Sequence, residues 1–298
     1  MNHFGHLPKR SMHRRIRSAI LGFAAAAAAV QSARTQRVRW HIAWAAGAGA
    51  SHDGLLHARS LGDGTAGVLL LHGLGGSNAY WGAAYDTLAR AGRLIVPDLL
   101  GFGASPRPSS GYTATDHVEA LTSLLDELAV TGPIVVGAHS FGCLVALALA
   151  EQRPDLVVGV VAFCPPLYPD EVMRRDGVQH SWASYSQSFR QVLASAEGGR
   201  LLTDIHVPVE LVAGADDPVT DLAYLRQLAE QLPHVALAAL DRADHDLPLT
   251  NPTGAVVVLT RAANVLSCFR AAGDPYPSSV ADTDDDTSRP GHDGGHEL

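Results

Sequence analysis

Cysteine is scarce in this chain: three in 298 residues, at Cys143, Cys164 and Cys268. An odd, sparse set on apolar runs argues against a disulfide scaffold, and none of the three stands at metal-ligand spacing. Each reads as a reduced, buried thiol that packs like a small hydrophobe. A basic surplus is missing too. The formal net charge of −8 lacks the dense Lys and Arg footprint that a nucleic-acid partner needs. The apolar run from Ala19 to Val30 falls short of the ~20 residues that span a bilayer as a helix. No internal repeat breaks the chain into stacked units.

What is there is 47% hydrophobic and 17% charged, enough for one large core or two small ones. Both ends differ from the middle. Arg10, Arg14, Arg15 and Arg17 precede that short run, which holds six consecutive alanines, Ala24 to Ala29. Charge followed by a short apolar stretch resembles a secretory signal. No small-x-small cleavage site follows, however, and Arg34, Arg37 and Arg39 come directly after. Residues 1–37 are therefore read as a helical or floppy extension. A cytoplasmic location is favoured, with export or membrane association through this segment as the alternative. Residues 273–298 carry Asp282, Asp284, Asp285, Asp286, Asp293 and Glu297 with almost no large apolar residue. That composition reads as a disordered, solvating acidic tail.

Between the ends, strand-like and helix-like segments alternate. Val38, Trp40, Ile42 and Trp44 alternate with polar or small residues, and Leu55 to Leu61 is expected to pair with them as a hairpin. Six apolar runs then suit strands buried on both faces: Val68–Leu71, Leu94–Val96, Ile134–Val136, Leu156–Phe163, Val207–Val212 and Val235–Leu240. Helical spacing joins Val118, Leu121, Leu124, Leu125 and Leu128, with Asp116 as N-cap and Glu119 three residues later. A second helix follows Ser140 and is stopped by Pro154. A third follows Asp221, with Leu222, Leu225, Leu228 and Leu232 on one stripe. Two antiparallel strands followed by β-α units predict a mostly parallel sheet covered by helices. One connection, about forty residues from Pro165 to His206, is far longer than a usual β-α link. Its Tyr168, Trp182, Tyr185 and Phe189 point to a functional lid.

Functional residues of open parallel sheets gather at the carboxyl ends of strands. Ile134 to Gly142, reading Ile-Val-Val-Gly-Ala-His-Ser-Phe-Gly, has the shape of a strand, a sharp turn and a helix, with Ser140 at the apex. The turn needs small residues two before and two after the serine, and Ala138 and Gly142 supply them. A serine needs a base and a group that orients the base. The run Ala213-Gly214-Ala215-Asp216-Asp217-Pro218 ends one strand with an acid, and Asp241 to Pro248 ends the next with a histidine, His245. Leu71-His72-Gly73-Leu74-Gly75-Gly76 ends an earlier strand in a turn that can aim a backbone N–H into the same region. An aspartate at a strand end is often only a helix cap, and fifteen histidines leave room for surface filler. Four such ends in the order Gly-rich turn, Ser, Asp, His are much harder to attribute to chance.

These segments together resemble the α/β-hydrolases, the large group that includes small esterases, epoxide hydrolases, dehalogenases and carbon–carbon bond hydrolases. Asp98-Leu99-Leu100-Gly101-Phe102-Gly103-Ala104-Ser105 resembles the D-x-x-G-x-G-x-S loop of that group, and His245 to Pro252 resembles the segment around its catalytic histidine. The resemblance covers about residues 38 to 266. It implies an eight-stranded, mostly parallel sheet flanked by helices over residues 38–272, with a lid at about 165–206. It also implies Ser140 as nucleophile, His245 as base, and Asp217 as acid, with Asp216 as the neighbour to be distinguished. Asp244 stands too close to the histidine in sequence to orient its ring. The backbone N–H groups of Leu74 and Phe141 would form the oxyanion hole. Asp98, Gly101 and His72 are expected to shape loops, and His139 to pack under the turn.

A serine in place of a carboxylate disfavours the dehalogenase and epoxide hydrolase branches, which form an ester on an aspartate. The expected reaction is acyl transfer on a small or medium apolar carboxylic ester, with no metal or organic cofactor. One alternative is a carbon–carbon bond hydrolase for ring-cleavage products, with Arg174, Arg175 or Arg190 holding a dienoate carboxylate. Another is a ligand-binding protein that has abandoned the chemistry on the same fold.

Overall fold

The computed structural model describes residues 50–53, 55–168 and 198–266. The 1–37 extension, the strand expected at Val38 to Trp44, the middle of the lid and the acidic tail lie outside them. Eight strands form one sheet: β1 (Ala50–Asp53), β2 (His57–Leu61), β3 (Gly67–Leu71), β4 (Arg93–Pro97), β5 (Ile134–His139), β6 (Val157–Phe163), β7 (Val209–Gly214) and β8 (Val235–Leu240). Their order is β1-β2-β4-β3-β5-β6-β7-β8. β1 and β2 pair antiparallel, as do β2 and β4; every other pairing is parallel. β2 therefore has a hairpin partner, but it is Ala50–Asp53. That Ala-Ser-His-Asp stretch has little β preference and becomes a strand through its pairing alone.

Helices cover both faces. α1 (Ala114–Glu127), α2 (Phe141–Gln152), α3 (Gly198–Asp204) and α4 (Leu222–Gln231) are followed by α5 (Leu247–Thr250) and α6 (Pro252–Ala263). Alternate β5 residues serve alternate cores: Ile134, Val136 and Ala138 meet α1 and α2, while Val135 meets α6 and the 3-10 turns near Trp81 and Tyr85. α2 is buried at every position from Phe141 to Ala150, which explains why its sequence is apolar all round.

Three expectations are corrected. The cap of α1 is Thr113, whose hydroxyl accepts from the Asp116 N–H while the Asp116 carboxylate accepts from the Thr113 N–H. Asp116 thus stands inside the helix as the reciprocal member of a capping box. β8 is apolar without being buried on both faces: Ala236, Ala239 and Leu240 are exposed. Among the described residues it is the last strand and pairs only with β7. Residues 198–206 belong to the body, because Leu201, Leu202 and Ile205 are buried in the core beside α2.

The chain adds β4 on one side of β3 and then β5 on the other. Such a reversal opens a crevice at the carboxyl ends of the two strands that flank it. His72-Gly73-Leu74 and Ser140 leave those two ends.

Candidate active site

Ser140 sits between β5 and α2 with φ 50° and ψ −119°, a region costly for any residue with a Cβ, at about 1–3 kcal/mol. The surroundings hold it there. Its N–H donates to the Phe163 carbonyl at the end of β6 (2.9 Å), and its own carbonyl accepts from the Cys143 N–H (2.9 Å). Gly142 lets the helix approach β3, since a Cβ there would lie 2.6 Å from the His72 carbonyl oxygen. At Ala138, two residues before the serine, a methyl is accommodated in the core. The two small positions are therefore unequal.

Asp217, the expected acid, comes from the loop after β7. The Asp217 side chain is fully buried and accepts four hydrogen bonds. Oδ1 takes the N–H groups of Val219 (2.7 Å) and Thr220 (3.2 Å); Oδ2 takes the Thr220 hydroxyl (2.6 Å) and His245 Nδ1 (2.9 Å). Burial works to raise its pKa, but the hydrogen bonds and charge of His245, with those of Thr220 and Val219, outweigh it and hold the carboxyl at about 2. Asp216 is exposed, and its N–H donates to the Ala243 carbonyl (3.0 Å). That bond ties the acid loop to the base loop. Tyr168, at the start of the expected lid, holds the same acid loop through its hydroxyl, which donates to the Val219 carbonyl (2.6 Å).

His245 follows β8 and joins the other two. A carboxylate only accepts, so Nδ1 carries the proton and Nε2 presents its lone pair to the Ser140 hydroxyl at 2.9 Å. Three side chains from the ends of β5, β7 and β8 thus form one continuous relay. Asp244 takes no part in it; its carboxylate accepts from the Asp246 N–H (3.1 Å).

Leu74 follows β3 in a tight turn closed by the Gly76 N–H on the Gly73 carbonyl (2.9 Å). Among the described residues, neither the Leu74 N–H nor the Phe141 N–H donates to another protein group. Phe141 N–H is also the first of α2, where the helix dipole favours negative charge. His72 and Asp98 shape this end. His72 Nε2 accepts from the Leu99 N–H (3.0 Å), and the Asp98 carboxylate accepts from the N–H groups of Asn78 (2.5 Å) and Ala104 (2.7 Å). Gly103 at φ +52° is needed there, because a Cβ would lie 2.0 Å from Asp98 Oδ2.

Two groups carry weight that sequence reasoning gave them only in part. His139 packs under the turn, as expected, and its Nε2 also lies 2.7 Å from the His245 carbonyl oxygen. Cys164, at φ 50° after β6, lies close enough for His139, Cys164 and His245 to offer ligand atoms within 4.8 Å of one another. Those ring nitrogens are already committed: both of His245 to Ser140 and Asp217, and Nε2 of His139 to a carbonyl. The cluster reads as hydrogen-bond architecture. Only contact across three strands reveals either role, so spacing in the sequence holds no signal for them.

A family model described as the alpha/beta hydrolase fold matches residues 68–207. The chain is 38% identical over 108 residues to the probable lysophospholipase BODYGUARD 4 of Arabidopsis thaliana, which spans 35% of this chain and 26% of that protein. It is 34% identical over 148 residues to a haloalkane dehalogenase of Mesorhizobium japonicum, 50% of this chain and 46% of the relative. The matches thus span a quarter to a half of those relatives. Among solved structures, an esterase from Thermogutta terrifontis superposes with a TM-score of 0.59 at 21% identity, over 71% of this chain and 94% of the esterase. E-2-(acetamidomethylene)succinate hydrolase gives 0.58 at 20% identity, over 73% and 99%. At these identities the superpositions establish the fold.

Proposed function

On the α/β-hydrolase fold that this chain carries, we propose that it belongs to that superfamily and is a serine hydrolase cleaving carboxylic esters of small or medium apolar substrates. The observation that carries this reading is the relay Asp217–His245–Ser140, with both links at 2.9 Å. Relatives include a dehalogenase and an epoxide hydrolase, but Ser140 stands at the turn in this chain. A hydroxyl cannot form the carboxylate ester that an aspartate nucleophile forms, so acyl transfer is the chemistry that suits it.

In the proposed cycle Ser140 Oγ attacks the ester carbonyl while His245 Nε2 takes its proton. Asp217 keeps the ring in the tautomer that leaves Nε2 free and stabilises the imidazolium. The oxyanion that develops meets the N–H groups of Leu74 and Phe141, donors of a kind worth roughly 2.7–4 kcal/mol each. His245 then gives its proton to the leaving alcohol. Water, activated by the same base, attacks the acyl-enzyme and releases Ser140.

A fluorophosphonate probe together with a chain-length series of p-nitrophenyl esters tests the reading. Labelling and turnover in wild type, both lost in Ser140→Ala, are the expected result. An unlabelled wild type that cleaves none of the esters refutes it and leaves the ligand-binding alternative. Cleavage of a ring-fission dienoate in preference to every ester would transfer the site to carbon–carbon bond hydrolysis.

A further inference from the structure

His139 is the residue that joins nucleophile and base most directly, and no step of the proposed cycle uses it. Its ring is buried and stacks on Tyr80 at 4.9 Å and 10°. The other side meets the His245 ring at 5.0 Å. Nε2 lies 2.7 Å from the His245 carbonyl oxygen. A carbonyl only accepts, so Nε2 carries the hydrogen and Nδ1 carries the lone pair. Nδ1 has no hydrogen-bond partner among the described residues and abuts the backbone of Gly73, where a Cβ would lie 2.7 Å from it. The ring is therefore wedged between the Gly73 turn and the base loop in one tautomer.

The base loop needs such a support. Asp241, Arg242 and Asp244 are exposed, and β8 before them is the edge of the sheet among the described residues. Its other ties run to the acid loop, through Asp216 and Ala215, and to the end of β6, where the Cys164 thiol donates to the Asp244 carbonyl (3.7 Å). None of those reaches the strand that carries Ser140. His139 does, because its backbone continues straight into the serine. We propose that His139 is a positioning residue: a neutral hydrogen-bond donor that clamps the His245 main chain to the strand carrying the nucleophile and so sets the distance between base and serine.

Two features fit a donor and oppose a proton carrier. Burial, then the neighbouring His245, hold the His139 pKa down to about 3. The ring thus adds no positive charge beside the imidazolium that His245 becomes. Its other nitrogen faces the Gly73 backbone.

The inference rests on the reading of Ser140 and His245 as nucleophile and base, and two independent measurements separate the claims. In wild type with 15N-labelled histidine, the His139 ring should show the Nε2–H tautomer and should not titrate between pH 5 and pH 9, whether or not any ester is cleaved. An Nδ1–H tautomer or a titrating ring overturns the clamp. For activity, His139→Phe keeps the stack on Tyr80 but has no donor, whereas His139→Gln restores an N–H that can reach the carbonyl. A misplaced reacting group can cost about 10²-fold. His139→Phe should therefore lose about that factor in kcat on p-nitrophenyl acetate with KM little changed. His139→Gln should recover to within several-fold. Equal loss in both variants, or a loss confined to KM, refutes the role. Absence of wild-type labelling by a fluorophosphonate, with the tautomer as stated, sinks the catalytic reading and leaves the clamp standing.

Discussion

Replacing Asp217 by asparagine should abolish most of the activity, and the reason lies in which end of the side chain is already pinned. Asp217 Oδ1 accepts two backbone N–H groups, from Val219 and Thr220. An asparagine must turn its carbonyl oxygen to those donors, which puts its NH2 at the position of Oδ2. That NH2 faces His245 Nδ1 and the Thr220 hydroxyl. The hydroxyl can rotate to accept; the imidazole can accept only by giving up the proton on Nδ1. The proton then sits on Nε2, 2.9 Å from Ser140 Oγ, where it blocks the lone pair that should receive the serine proton. Wrong-tautomer replacements of this kind cost about 10⁴ in kcat, or roughly 5.5 kcal/mol of transition-state stabilisation. Steady-state hydrolysis of p-nitrophenyl acetate measures it, with thermal melts to show that both proteins are folded. Asp216→Asn is the control. Its side chain is exposed, so its effect should stay within about 0.5 kcal/mol, as for ordinary surface changes. A kcat for Asp217→Asn within tenfold of wild type, or a larger loss in Asp216→Asn, would refute the assignment.

Three further outcomes follow from the packing around the site. Gly142→Ala would press a methyl to 2.6 Å from the His72 carbonyl oxygen and 2.9 Å from that of Leu71. Backbone must move, at about 1–3 kcal/mol, so the denaturant midpoint should fall; an unchanged midpoint would contradict the close approach. His117 is buried against Phe141, and neither ring nitrogen has a partner among the described residues. His117→Leu removes a desolvation cost of about 1–3 kcal/mol and should raise Tm by several degrees, whereas a lower Tm would mean that the imidazole is satisfied. Acid sensitivity has a definite direction. Burial chiefly, with a neighbouring histidine in each case, holds His117 at about 4 and His139 at about 3, against an ordinary 6.5. The unfolded chain then takes up protons below about pH 6.5 that the native chain refuses, so stability falls as pH drops from there towards 4. Asp217, held at about 2 against 3.8, stabilises the fold above 3.8 and loses that contribution only below it. Chemical denaturation at stepped pH should show a decline beginning near 6.5; a midpoint flat down to pH 4 would count against neutral buried histidines.

Strand ends were the legible part of this molecule because a buried parallel strand must be apolar and must stop abruptly. Val68–Leu71, Ile134–Val136 and Val207–Val212 each mark a central strand, and the residue after each stop is where a side chain can leave the sheet. Ser140 and Asp217 follow such stops, and His245 follows the stop of β8. Burial could not be read for β8, since an edge strand carries the same apolar letters as a central one while its exposure depends on what lies beside it. The α1 cap was missed by three residues because threonine and aspartate both cap, and only geometry separates the donor-satisfying member from its reciprocal partner.

The same limit explains the turn itself. From sequence, Ala138 and Gly142 are equivalent small flanks of Ser140; in space they answer to different neighbours. Ala138 points into the helix-covered core, where a methyl is simply packing. Gly142 faces the carbonyl oxygens of Leu71 and His72, where a methyl has nowhere to go. His72 is also the residue whose ring holds Leu99 and whose chain leads into Gly73 and Leu74. One glycine thus sets how near the helix after Ser140 comes to the turn that carries the Leu74 N–H, the other proposed oxyanion donor. Substituting the first flank should leave activity close to wild type when the replacement is glycine. Substituting the second should disturb Leu74 and Phe141 together, lowering kcat along with stability. Ala138→Gly and Gly142→Ala, compared on the same p-nitrophenyl ester, measure that asymmetry, and equal effects would show that the two sides of the turn are interchangeable after all.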